Sequence, residues 1–194
     1  MEASLQKCHP EVPTPVIIFP NLPQTLTATD MNPSPYPAYR HGIALIRNFN
    51  TGNMLRWLGV YNRSTQTINF ITGERLESET FRESVRREVA WNLDVDRNSD
   101  FLTSKMAQLN LEFVESLVDG HDARHYHVAF YNVEVYREKV LDQIAARDDL
   151  IWVTSEEICA GKTKLGIQFD PVLKALIKKS DVIQHWESAE SKTM

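Results

Sequence analysis

Carboxylates and arginines crowd the stretch GERLESETFRESVRREVAWNLDV, residues 73–95. Its residue types suit binding of a divalent cation or of an anion, depending on which side chains converge. Glu88 is the central residue. Phe81, Val85 and Val89 recur at helical spacing, and at about 100° per residue Glu88 projects beside Phe81 and Val85, at the edge of that apolar stripe. A carboxylate so placed needs a hydrogen-bond donor, a basic partner or a metal. The chain before it supplies a helix start. The Thr80 hydroxyl can accept a free amide of the first turn, and Glu83 can reach back to the Thr80 amide, forming a capping box. Glu83 and Arg87 stand four apart, the spacing of an ion pair on the outer helix face.

This stretch resembles the Nudix box, whose pattern is G-x5-E-x7-R-E-U-x-E-E-x-G-U with U aliphatic. Gly73, Glu79, Arg87, Glu88, Val89 and Val95 fall on it at the right spacing. Trp91 and Asn92 replace the paired carboxylates, and Asp94 replaces the last glycine. The resemblance implies cleavage of a diphosphate linked to another moiety, with Mg²⁺ or Mn²⁺ neutralising phosphate oxygens and activating water. It assigns the metal to Glu88 and to the two positions now held by Trp91 and Asn92. Mg²⁺ wants oxygen ligands. Trp91 offers none, and Asn92 offers one neutral carbonyl.

Compensating carboxylates could come from Asp94, Asp96, Glu112, Glu115, Glu156 or Glu157. The family's general base varies in position, which makes Glu156 and Glu157 candidates beside Glu88; the alternative is that all of these are surface carboxylates. The front of the box has a structural reading. Gly73 allows a turn that a Cβ would block, and Glu79 with Arg87 resembles the family's brace between loop and helix. Trp91, Asn92 and Arg87 are the candidate ligand-binding residues. Trp91 is either a core or rim packing residue, or a side chain that enters the old metal pocket or stacks on a nucleobase. His125 and His127 share one face of a predicted strand near His121 and Asp122, an incomplete metal set read otherwise as strand-edge or pocket-lining side chains. GKT at 161–163 lacks the upstream glycine of a phosphate loop.

The elements that must position these groups can be read in order. Residues 1–38 form a proline-rich arm holding eight of the nine prolines, expected to lie extended over the domain or a partner subunit, or else to be a disordered leader. Strands are predicted at 41–49, 54–62 and 67–71, the first two joined by a turn at 51–53. After the box, 96–101 reads as loop. Two long strands follow at 105–118 and 124–136. A helix is predicted at 137–149 and a strand entering a turn at 150–158, with Ser155 a candidate cap. A final helix starts at Asp170–Pro171. Residues 39–180 make the Nudix-like domain and 181–194 a polar tail. Strands and helices without βαβ alternation give an α+β class, and the resemblance implies an α/β/α sandwich with a mixed sheet.

Hydrophobic residues make up 42% and charged residues 24% of the 194, a globular composition. A net charge of −5 disfavours a nucleic-acid polymer as partner but permits one nucleotide-type small molecule. Cys8 and Cys159 form no disulfide framework, so the expected setting is reducing and cytoplasmic. No secretory signal and no membrane span are expected. The leading reading is a Nudix-family protein with a degenerate box, weak or inactive towards diphosphates, that binds a nucleoside-diphosphate-type ligand or a protein partner and needs no cofactor. The alternatives are an active hydrolase with a rearranged Mg²⁺ or Mn²⁺ site, and a structural domain forming a homodimer.

Overall fold

Alternation along four strands creates the layers. In β1 (Ala38–Asn50), Ile43 and Leu45 enter one apolar cluster while Ala44 and Ile46 enter another. In β7 (Arg124–Val135) the same split separates Tyr126, Val128 and Phe130 from Ala129, Tyr131 and Val133. β2 (Met54–Asn62) divides Trp57 from Leu58, and β8 (Leu150–Thr154) divides Val153 from Leu150. Successive side chains point to opposite faces of a strand, so a sheet with two apolar faces must be covered on both. Helices α1 (Phe81–Leu93) and α2 (Glu138–Ala145) cover one face through Phe81, Val85, Val89, Val140 and Ile144. Helices α3 (Ser155–Ala160) and α4 (Pro171–Ser180) cover the other through Ile158, Leu173, Leu176 and Ile177. The architecture is an α/β/α sandwich of the α+β class.

The computed structural model describes residues 34–50 and 54–183. Expectations for the arm before residue 34, the turn at 51–53 and the chain after residue 183 lie outside the described residues. The remaining strands are β3 (Thr67–Asn69), β4 (Thr72–Glu74), β5 (Phe101–Thr103), β6 (Leu109–Glu115) and β9 (Gln168–Phe169). β1 is the hinge of the sheet. Along its first part it runs parallel to β7 and antiparallel to β4; from Arg47 onward it pairs antiparallel with β2. β2 also pairs with β3 and β8, and β3 runs parallel to β9. The sheet is therefore mixed. Among the described residues no helix is long and apolar enough to cross a membrane.

Several local expectations change. β4, β5 and β9 are two- or three-residue strands that carry too little pattern to read, and Phe101, taken as loop, opens β5. The predicted strand 105–118 shortens to Leu109–Glu115, because the chain leaves the ladder between β5 and β6 while both pair with β7. The cap of α3 is Thr154 rather than Ser155: its hydroxyl accepts the Glu157 amide and the Glu157 carboxylate accepts the Thr154 amide. Ser155 is instead buried and accepts the Trp57 indole N–H at 2.9 Å, tying β2 to α3. Asp170 caps α4 as expected, its carboxylate accepting the amides of Val172 and Leu173. Burial continues past the predicted domain end through Val182 and Ile183.

Candidate functional site

Two glycines seat the helix that carries the box. Gly42 of β1 and Gly73 of β4 are register partners, and α1 lies directly over them. A Cβ on Gly73 would come within 2.5 Å of the Ser84 carbonyl oxygen, and one on Gly42 within 2.6 Å of the Phe81 carbonyl oxygen. Gly73 is thus required by close approach of helix backbone to strand; it sits inside β4 rather than in the turn expected for it. Gly42 shares the role, and only strand register could have revealed it. Above this floor Val85 and Val89 are fully buried, each contributing about 1.5–3 kcal/mol. The capping box forms: the Thr80 hydroxyl accepts the Glu83 amide, and the Glu83 carboxylate accepts the Thr80 amide at 2.7 Å.

Because Glu83 is spent on that cap, its expected pairing with Arg87 is not made. Arg87 turns to Glu79, donating from Nε at 2.9 Å and from a terminal nitrogen at 3.1 Å. It also donates to the Glu74 carbonyl at 2.9 Å and to the Glu88 carboxylate. One guanidinium therefore joins the loop, β4 and the helix, the geometry of a brace. The Arg87 hydrogen bonds hold the Glu79 carboxyl below the usual carboxylate range, aided by the Leu76 amide and against the opposing effect of burial.

Glu88 is the remaining box carboxylate, with its side chain 23% exposed. One oxygen accepts from Arg87 and the other faces the Asn92 amide nitrogen at 3.4 Å. Asn92 donates more closely to the Glu88 backbone carbonyl, at 2.9 Å. The Asn92 backbone carbonyl accepts from Arg147, whose guanidinium is clamped by Asp149 at 2.6 and 2.9 Å. Sequence reasoning missed Arg147, which lies 55 residues away from Asn92. Trp91 projects outward, 83% exposed, so it is not a core packing residue. Arg87, Glu88, Ala90, Trp91, Asp94 and Arg97 line an open depression of about 750 Å³. Arg97 and Asp94 are the additions to the expected ligand set; Asn92, expected in that set, is not among the lining residues.

The other candidates are dispersed. Glu157 is occupied at the start of α3 and also accepts the Lys164 amide at 2.8 Å. Burial alone would raise its carboxyl, but the Thr154 and Lys164 amides outweigh this and hold it low. Glu156 is exposed on the same short helix, which buries Ile158 on the sheet face opposite α1. Glu112 meets His125 at 3.2 Å and Glu115 meets Lys179 at 2.6 Å. Asp96 accepts the amides of Asn98 and Ser99. His127 packs edge-on against Phe81, its ring centroid 4.7 Å away, so it and His125 serve different neighbours. Among the described residues no three His, Cys, Asp or Glu side chains cluster as metal ligands. A divalent cation does not fit the residues present: its one box carboxylate is bound to a guanidinium, and Asn92 presents its N–H₂ to that carboxylate.

No protein-family model matches the sequence, and no curated protein does. Similar solved structures include a Nudix hydrolase from M. smegmatis, RenU, at TM-score 0.47 and 13% identity, covering 79% of this chain and 87% of that one. A C. elegans Ap4A hydrolase in a binary complex gives TM-score 0.49 and 8% identity, covering 79% and 98%. Shewanella oneidensis NrtR gives TM-score 0.48 and 15% identity, covering 72% of this chain and 59% of that one. These are the structures to which the chain is similar; within it Gly73, Glu79, Arg87, Glu88 and Val89, which fall on the box pattern, occupy one consecutive strand, loop and helix.

Proposed function

We propose that the chain is a binding module on a Nudix-like fold, with its box kept as a brace and without metal-dependent diphosphate hydrolysis. One observation carries this reading: the Glu88 carboxylate is held by Arg87 and faces the Asn92 amide, and among the described residues the carboxylates lining the depression are Glu88 and Asp94. The ligand is a nucleoside-diphosphate-type molecule. Trp91 supplies an exposed aromatic face on which a base can stack, worth about 1–3 kcal/mol. Arg97 supplies positive charge for the diphosphate. No cofactor is required by this function; Mg²⁺ or Mn²⁺ belongs to the alternative, an active hydrolase recruiting Asp94. Exposure of Trp91 also favours a protein partner on the same surface, a second copy of the chain included, since aromatic residues are enriched at interfaces.

The test is thermal stability with ADP, ADP-ribose and a dinucleotide polyphosphate, with and without Mg²⁺ or Mn²⁺, followed by phosphate-release assays. Stabilisation that is indifferent to metal, lost in Trp91→Ala, and without turnover supports the reading. Metal-dependent turnover overturns it. No response to any nucleotide shifts the function to the protein partner, which size measurements on wild type and Trp91→Ala would then examine.

A further inference from the structure

β6 is an edge strand. Among the described residues it pairs with β7 alone, in a continuous register from Leu109↔Phe130 to Glu115↔Arg124. A strand paired on one side presents a row of backbone N–H and C=O groups on the other, a template for a further strand. Natural proteins blunt such edges with lysine, proline or a bulge. The 7 residues of β6, LNLEFVE, hold no lysine, proline or glycine. The break from β5, at residues 104–108, lies before the strand rather than within it.

The two faces of β6 differ. Leu109, Leu111 and Phe113 pack, only partly buried, against the apolar cluster that α3 and α4 cover. Asn110, Glu112 and Val114 are exposed on the other face, where Asn110 is the register partner of Ala129 in the cluster beneath α1. Glu115 is paired with Lys179 at 2.6 Å. Glu112 places one oxygen, Oε1, 3.2 Å from His125 Nε2, which leaves Oε2 to accept from elsewhere.

This sequence is complementary to itself. A two-fold axis through Leu111 sets two copies antiparallel, with Leu111 opposite Leu111, Leu109 opposite Phe113 and Asn110 opposite Glu112. Directly opposed residues of an antiparallel pair share a face and interact. The partly covered apolar row then runs from one copy into the next. On the other face each Asn110 amide meets a Glu112 carboxylate, twice by symmetry. Moving the axis to Glu112 sets that carboxylate against its own copy and Leu109 against Glu115, and like charges directly opposite are destabilising. Moving it to Asn110 leaves Glu112 facing Gln108, outside the strand.

We infer that β6 is an interface between two copies of the chain, joined edge to edge about Leu111 so that one sheet continues across the dimer. The surface shares no residue with the depression beside Glu88, and it does not depend on nucleotide binding.

The test is sedimentation equilibrium of the full chain from about 5 to about 500 µM, a range that brackets micromolar self-association. A reversible dimer is expected. Asn110→Glu opposes like charges at both symmetric positions and should weaken the dimer at least about tenfold. Adding Glu112→Lys to that variant opposes unlike charges and should restore it. Both positions are exposed, so neither change disturbs the core. Trp91→Ala should leave the dimer unchanged. Four outcomes overturn the inference: a monomer throughout the range, a dimer that Asn110→Glu leaves at full strength, a loss that the added Glu112→Lys does not recover, or a dimer abolished by Trp91→Ala, which would place the contact on α1 instead.

Discussion

Restoring the two absent carboxylates, Trp91→Glu with Asn92→Glu, perturbs the candidate site most directly. Trp91 is 83% exposed, so its loss removes little buried surface. Asn92 gives up its 2.9 Å bond to the Glu88 carbonyl and its 3.4 Å contact to the Glu88 carboxylate. A glutamate there brings a second negative charge close to Glu88. Two such charges at ~4 Å repel by up to ~4 kcal/mol at an effective dielectric constant of ~20. Arg87 already offsets Glu88 and solvent screens the rest, leaving a metal-free cost of about 1–2 kcal/mol. For a chain of this size each kcal/mol shifts the melting temperature by about 2–4 °C. A divalent cation reverses the penalty: at a concentration of ~100 Kd it stabilises by ~2.7 kcal/mol, or about 5–10 °C. Calorimetric melting with Mg²⁺ titrated at constant ionic strength reads both effects. The variant should melt below wild type without metal and rise with Mg²⁺, while wild type stays level. An equal Mg²⁺ response in both proteins, or none in the variant, would refute the geometric account of the lost metal site.

The other predictions concern the brace and the helix seat. Gly73→Ala forces the Ser84 carbonyl away from a 2.5 Å approach and should cost about 1–3 kcal/mol, visible as a lower denaturation midpoint. Glu79→Gln should cost more than Glu88→Gln in urea titrations, because Glu79 accepts Arg87 with both oxygens while Arg87 keeps its other partners when Glu88 is neutral. With partial screening the Glu79 loss is about 1–2 kcal/mol. The folded-state Glu79 carboxyl lies below its unfolded value of about 4.3. Its contribution is therefore complete above that value and drains away as pH falls through the depressed one; Glu79→Gln should flatten that part of the stability profile. Trp91→Ala should leave stability within about 0.5 kcal/mol while weakening nucleotide binding in fluorescence titrations.

The depression beside α1 and the break between β5 and β6 differ in what made them visible. The first was legible because a helix concentrates its chemistry in one continuous stretch: the capping box, the Phe81–Val85–Val89 stripe and the spacing of Glu79, Arg87 and Glu88 are all local. The second was hidden because it depends on β7 receiving two strands with five residues looped out between them, and a three-residue strand leaves no periodic signal.

By itself the sequence determined the local rules: Thr80 and Asp170 as caps, the strand alternation that demands two covered faces, and the departure of Trp91 and Asn92 from a carboxylate pair. The tertiary structure alone decided where the arginines go. Arg87 abandons Glu83 for Glu79 because the cap has already consumed Glu83, and Arg147 reaches Asn92 across 55 residues. It also decided that Gly42 and Gly73 form one floor, since register brings together residues separated by 31 positions. Hydrogen-bond partners are exclusive and close approach depends on three-dimensional packing, so neither follows from spacing along the chain.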